Sequence, residues 1–468
     1  MKKTLLTLLL AVVSVVGVLA QNVSIVNGEW ARGNAKDLKL FKVNNGHLSE
    51  IASTKVGDGN KFVFAFSADK EGFYAIGIRG AVASNRYTFY FKPGDQLNVK
   101  VTSASFELIG NNTPENEEMA RWQEFIVPLE SKSVYFGGKK STYVDFFPLL
   151  EEKLEALEKY PAANTPNKEF NSAFENYKKY NMLFLALNFL QTPRSAHPQG
   201  EDYPDYYRNI NLADLTKDTS LLDYPGGMDL LFHAYMTTVR LDPNLSNEDK
   251  EERMKDPAQF VLGGVDNDKI VNNLLKGEMA LRFADRNKTF AGFTEFRKKY
   301  ENYIVSEKQK KRWKGIEARL NNNEAGNEAI DFKFPDVNGK EIALSDFKGK
   351  VVYIDVWATW CGPCMKEIPA LKKLEAEYHN NDKIVFMGIS VDVDKDKAKW
   401  KTFLDKQKLE GIQLFGGNAA KEALMQPYKI KGIPRFILVG KDGKLILGDS
   451  PKPSSVEIRT ILNDAIKR

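Results

Sequence analysis

Val351-Val352-Tyr353-Ile354-Asp355-Val356-Trp357-Ala358-Thr359-Trp360-Cys361-Gly362-Pro363-Cys364 is the stretch that decides the fold of the C-terminal part of this chain. Residues 351–356 read as a buried strand. Beyond Cys364, the apolar positions Ile368, Leu371 and Leu374 follow helical spacing, so the strand gives way to a helix at the cysteines. A sulfur at a helix N-terminus faces unpaired backbone N–H groups and the positive end of the macrodipole, which lowers a thiol pKa from about 8.5 towards neutrality. Cys361 is thereby the expected nucleophile. It would attack a disulfide to give a mixed disulfide, and Cys364, one turn into the helix, is placed to resolve it.

Two cysteines in 468 residues, separated by two positions, are too few and too close to staple the fold. A zinc site would need two further ligands at short spacing, whereas His47, His197, His233 and His379 are scattered. Haem attachment would need a His after Cys364, where Met365 stands. No metal and no other cofactor is expected. A purely structural disulfide remains as the alternative to a reversible one.

Around this stretch, strands and helices alternate over residues 329–468: strands at 351–357 and 384–391, a helix after Cys361 and another from about Asp396, and strands around Gln413 and Phe436. That alternation means a compact α/β fold. Its last hairpin turns at Lys441-Asp442-Gly443-Lys444, where Asp-Gly supplies the positive φ angles of a tight turn.

Upstream, the polar stretch 321–328 reads as a linker. Residues 113–320 read as an all-α domain. Helix starts are expected at Thr113-Pro114 and Thr165-Pro166, each a Thr N-cap followed by Pro. Phe146, Leu150, Leu154 and Leu157, then Phe170, Phe174 and Tyr177, then Phe293, Phe296, Tyr300 and Tyr303 recur at helical spacing and are expected to be core rather than a cofactor pocket. Lys308, Lys310, Lys311, Arg312 and Lys314, around Trp313 and Ile316, read as the polar face of a helix rather than a binding patch.

Residues 21–112 read as an all-β sandwich of antiparallel strands, with strands at 37–43, 61–67, 72–78, 87–91 and 96–101. The alternation of Lys61-Phe62-Val63-Phe64-Ala65-Phe66 and the turn signals at Asn44-Asn45-Gly46, 57–60 and Pro93-Gly94-Asp95 carry that reading.

At the start, Lys2 and Lys3 precede an apolar run over 5–19, and Ala20 offers a cleavage point, so residues 1–20 are expected to be a secretory signal peptide. The run is shorter than the roughly 20 residues that cross a bilayer; an uncleaved tether is the alternative. Loss of Lys2 and Lys3 takes the formal charge from +5 to +3, too little to imply nucleic acid or an anionic membrane as partner. With 43% apolar and 28% charged residues, the rest is of ordinary globular composition.

Residues 357–364 resemble the thioredoxin active-site motif, and other positions agree with it. The resemblance implies that Asp355, six residues before Cys361, is the family's buried acid, which accepts the resolving cysteine's proton. Pro369 matches the proline that kinks the active-site helix. Gly432-Ile433-Pro434 matches the cis-proline loop, which would set Pro434 against the cysteines and leave the Ile433 backbone to pair with a substrate peptide; read from the residues alone, it is a trans turn. Trp360, Gly362 and Pro363 would join Ile433 in contacting substrate, with Trp360 and Pro434 shaping the groove. Arg435 stands where thioredoxin usually has Thr.

The segment 332–350, with Asn338-Gly339-Lys340, is similar to the leading hairpin of TlpA-like and ResA-like periplasmic thioredoxins, a feature that cytosolic thioredoxin lacks. The strands ending at Leu108-Ile109-Gly110-Asn111 resemble the uncharacterised β-domain that precedes TlpA-like modules in Bacteroidetes-type proteins, a likeness that carries no function. The expectation is a multidomain periplasmic thiol:disulfide oxidoreductase with a C-terminal α/β thioredoxin-like fold, acting on thiol or disulfide clients such as exported proteins or apocytochrome c. The thioredoxin dipeptide Gly362-Pro363 points to reduction, at a potential nearer roughly −270 mV than the about −120 mV of DsbA. A periplasmic reductant further implies a membrane electron donor of the DsbD or CcdA type. Two rivals stand beside this reading. One is a ligand-binding or chaperone-like protein with a subordinate redox module. The other is a peroxidase, opposed by Ala358 where peroxiredoxins place Thr.

Overall fold

The computed structural model describes residues 22–467 apart from 34, 81–82, 84–85, 103–104, 135–140 and 288. The signal peptide expected over residues 1–20 lies outside the described residues. The chain divides into two compact units, one running to Ala280 with Tyr303–Val305, the other Leu281–Asn302 with Ser306–Arg468. Among the described residues no helix is long and apolar enough to cross a membrane.

Among the described residues of the first unit, eight strands form two four-stranded sheets: β1 (Val23–Trp30), β2 (Asp37–Asn44), β3 (His47–Lys55), β4 (Lys61–Ser67), β5 (Gly72–Gly77), β6 (Arg86–Phe91), β7 (Gln96–Val101) and β8 (Phe106–Leu108). The sheet orders are β4-β1-β7-β8 and β3-β2-β5-β6. The strand period does the packing, since Phe62, Phe64 and Phe66 of β4 are buried while the residues between them are exposed. Phe66 meets Tyr74 and Phe91 of the other sheet with ring centroids 5.5 and 5.2 Å apart, closing one apolar core between the two layers.

Three strands go beyond those read from sequence: β1, β3 and β8. Within β1 glycine is needed at position 28, because a Cβ there would stand 2.1 Å from the Phe62 ring of β4. One pairing also departs from an antiparallel sandwich, because β1 and β7 run parallel, Ile25 opposite Gln96 and Trp30 opposite Val101.

The helical part of this unit opens with α1 (Pro114–Ser133), α2 (Tyr143–Glu158) and α3 (Lys168–Gln191). Thr113 caps α1 as expected, its hydroxyl accepting from Asn116 N. The Asn116 side chain exchanges hydrogen bonds of 3.0 and 2.8 Å with Tyr90 N and O, occupying the open edge of β6. The start expected at Thr165-Pro166 lies two residues later. Asn167 is the N-cap of α3, whereas the Thr165 hydroxyl is taken up by Asn171 at 2.8 Å. The aromatic stripes are core: Phe146, Phe170 and Phe174 are fully buried, and Phe146 stacks on Phe189 at 3.9 Å.

A helical pair expected to close the all-α domain clusters instead with the second unit. These helices, α5 (Phe290–Tyr300) and α6 (Glu307–Asn322), follow α4 (Gly227–Leu241) of the first unit. Trp313 of α6 packs 5.2 Å from Phe293, while Lys308, Lys310, Lys311, Arg312 and Lys314 are exposed on the other face. Residues 321–328 are not a spacer here. Asn323 Nδ2 donates to Tyr428 O at 2.9 Å and Gly326 N to Leu445 O at 2.8 Å, because the unpaired amides and carbonyls of this unit supply partners. The two compact units divide at Ala280 and Leu281, apart from Tyr303–Val305.

The second unit contains a hairpin, β9 (Lys333–Pro335) with β10 (Glu341–Ala343), turned at Gly339 with φ 88°. Its five-stranded sheet has the order β13-β12-β11-β14-β15. Central β11 (Val351–Trp357) runs parallel to β12 (Ile384–Ser390), which is parallel to β13 (Ile412–Phe415); β14 (Arg435–Val439) and β15 (Leu445–Leu447) are antiparallel. Helices α7 (Gly362–Glu377), α8 (Lys397–Gln407) and α9 (Ile458–Lys467) complete the unit, with an apolar cluster on each face of the sheet.

Candidate active site

The turn from β11 into α7 carries both cysteines. Cys361 is the N-cap residue of α7, and Cys364 N donates to its sulfur at 3.1 Å. This is the helix-terminal donor that stabilises negative charge when Cys361 is a thiolate. The two sulfurs are joined in a disulfide, and each residue is 4% exposed. Around them Gly362 and Pro363 are exposed, and Trp360 is 64% exposed although Trp357 beside it is buried. Pro369 lies inside α7.

Ile433-Pro434 has a cis peptide bond, and the Ile433 carbonyl oxygen lies 3.6 Å from the Cys361 sulfur. The reading from residues alone, a trans turn, is thus replaced by the one the resemblance implied. Ile433 packs into the apolar cluster of Trp357, both cysteines, Trp400 and Phe415. Arg435 turns away, with Nε and Nη2 donating to Gly448 O at 2.9 and 2.7 Å and Nη1 3.3 Å from Asp449.

Asp355 sits in β11 between Gly388 and Phe436 of the neighbouring strands. The residue keeps a little accessible surface, but its Oδ1 is shielded and has no hydrogen-bond partner. Burial, then the charges of Glu375 and Glu367, push its pKa up to about 8. Glu375 itself is pushed up to about 7 by burial and by Glu410, with Oε2 unpartnered. Glu367 goes the other way: burial opposes ionisation, but hydrogen bonds from Ser454 and Lys452 hold it below the usual range. A carboxyl with a pKa of about 8 is matched to a thiol near 8.5, so proton exchange between such groups is close to thermoneutral.

The loop between Trp357 and Cys361 is pinned from outside the motif. Asp392, fully buried, accepts from Thr359 N at 2.9 Å, Thr359 Oγ1 at 2.8 Å and Ser390 Oγ at 2.7 Å.

Residues 324–458 match the Redoxin family. Thiol-disulfide oxidoreductase ResA of Bacillus thuringiensis subsp. konkukian is 34% identical over 124 residues, which cover 26% of this chain and 68% of the relative. The chain belongs to the ResA-like thiol-disulfide oxidoreductases. Thioredoxin-like protein YneN of Bacillus subtilis is 30% identical over 25% of this chain and 66% of its own. A crystal structure of a candidate thiol-disulfide oxidoreductase from Bacteroides vulgatus is 42% identical, covering 30% of this chain and 96% of that one with a TM-score of 0.28.

A ResA-like oxidoreductase exchanges disulfides with thiol or disulfide clients, so the loop that carries its cysteines must hold position through the exchange. Sequence reading missed Asp392, Glu367 and Glu375. The helical positions of the two glutamates look like ordinary surface, and the one available signal for Asp392 was an acid directly after an apolar strand. Asp392→Ala leaves the buried Ser390 hydroxyl and the part-buried Thr359 N–H and hydroxyl without their acceptor and is expected to destabilise the protein by roughly 2 kcal/mol, an orphaned buried donor costing about 1 kcal/mol or more and a part-buried one less. Urea unfolding measures it, and a loss under about 0.5 kcal/mol, the size of an ordinary surface change, would remove the positioning role. Among the described residues no group of three or more His, Cys, Asp or Glu is arranged to hold a metal ion.

Proposed function

We propose that this chain reduces disulfides of exported proteins in the periplasm through the Cys361 and Cys364 dithiol. The observation that carries the reading is the Cys364 amide donating to the Cys361 sulfur at the start of α7, beside exposed Trp360. The Cys361 thiolate attacks one sulfur of the client disulfide, and the other client sulfur leaves as a thiolate. Cys364 then gives its proton to Asp355 and attacks Cys361. The second client sulfur is released, leaving two electrons with the client and a disulfide in the enzyme.

Pro434 and Trp360 wall the groove, with Gly362, Pro363 and the Ile433 backbone against the client chain. A membrane donor of the DsbD or CcdA type would return the dithiol state, and apocytochrome c whose cysteines have paired as a disulfide is one client class. The apolar leader with Lys2 and Lys3 supports the location.

The test is the redox potential, read by trapping free thiols after equilibration in glutathione or dithiothreitol buffers. A value near thioredoxin's roughly −270 mV is expected from Gly362-Pro363; one near DsbA's about −120 mV would make the protein an oxidant.

A further inference from the structure

Far along the chain from the cysteines, the helical part of the first unit forms an open concavity of about 600 Å³ whose lining includes Arg194, His197, Arg208, Arg240 and Lys250 and, among the described residues, no aspartate or glutamate. Arg194 is held rigidly. Its guanidinium donates to Ser141 O, Lys132 O, Ser133 O and Thr192 Oγ1 at 2.8 to 3.2 Å and lies 4.2 Å over the Phe189 ring. Arg208 uses one nitrogen on Gly200 O at 2.6 Å, which fixes its direction and leaves further donors on the same fork. Among the described residues no carboxylate forms an ion pair with Arg208, Arg240 or Lys250.

Arg208 and Arg240 are exposed and Lys250 is half-buried, so three cations border one concavity, and charges of one sign around a cleft raise the local concentration of anions there. An anion in that space removes the repulsion. Guanidinium forks match planar or tetrahedral oxyanions in paired hydrogen bonds. The volume falls within the range of sites that take small organic molecules.

The geometry points to a binding site for a small molecule carrying two or more anionic oxygens, a phosphate ester or a polycarboxylate. The site is independent of the redox chemistry and gives the first unit a ligand of its own. The test is calorimetric titration of the full-length oxidised protein with inorganic pyrophosphate, and separately with citrate, at low ionic strength. One-site saturable binding of at least one probe is expected. Arg240→Ala combined with Lys250→Ala should weaken it about tenfold or more, each removing a charge-assisted contact. Lys310→Ala with Lys311→Ala, on the exposed face of α6, should leave it unchanged. Tighter pyrophosphate binding selects the phosphate class and tighter citrate binding the polycarboxylate class. No saturable binding of either probe, or binding indifferent to loss of Arg240 and Lys250, overturns the proposal. If that double variant does not unfold cooperatively, Arg208→Ala decides in its place by the same tenfold criterion.

Discussion

Replacement of Cys361 by alanine is expected to lower the rate of disulfide reduction at least about a thousandfold, since loss of a covalent nucleophile removes the pathway rather than weakening it. Cys364→Ser is expected to behave differently. Cys361 keeps its place at the start of α7, so it still attacks, but nothing within the chain resolves the adduct. A client should then stay bound as a mixed disulfide, about one per chain, visible on non-reducing electrophoresis and released by dithiothreitol. The order of the two sulfurs is what the pair of variants measures. If Cys361→Ala accumulated the adduct and Cys364→Ser did not, Cys364 would be the attacking sulfur, despite the amide it directs at its neighbour.

Asp355→Asn is expected to stabilise the protein while slowing the second step. In the unfolded chain Asp355 titrates near about 3.9, whereas burial holds the folded value at about 8. Between those values the folded state binds a proton that the unfolded state has released, so this residue lowers stability progressively as pH rises from about 4 to about 8. Asparagine has no such proton. Relative to the wild type, the variant should gain on the order of a few kcal/mol at pH 8 and almost nothing at pH 4, read by urea unfolding of the oxidised proteins. Resolution of the mixed disulfide should accelerate in the wild type as pH passes about 8, where Asp355 becomes ionised, and that rise should be blunted in the variant. Equal stability of the two proteins at both pH values would mean that Asp355 is solvated and ionised, and the relay would lose its basis.

The features legible without coordinates are those that depend on near neighbours in sequence. Thr113 caps its helix because the acceptor and the amide it serves are three residues apart. The cysteine motif announces the end of a buried strand and the start of a helix within one turn of chain. The alternation of Phe62, Phe64 and Phe66 assigns a strand and its buried face at once. Where the reason for a residue lies on another strand, local reading does not reach it: Gly28 of β1 is glycine because a ring of β4 packs against it. Thr165 yields its capping role to Asn167 because Asn171 holds its hydroxyl.

By itself, the sequence determined the order of β, α and α/β segments and the dithiol, since each is written in residues a few positions apart, whereas the cis bond at Pro434 and its place beside Cys361 were implied by the family resemblance alone. Only the tertiary structure decided that β1 lies parallel to β7, that α5 and α6 cluster with the second unit, that Asp392 holds Thr359 across 33 positions, and that Arg194, Arg208, Arg240 and Lys250 line one cavity. The reason is physical: these relations join groups that chain proximity does not bring together. They form because long-range strand pairing and the burial of apolar faces repay the loop-closure entropy, a balance set by the whole packed fold and not by any window of residues.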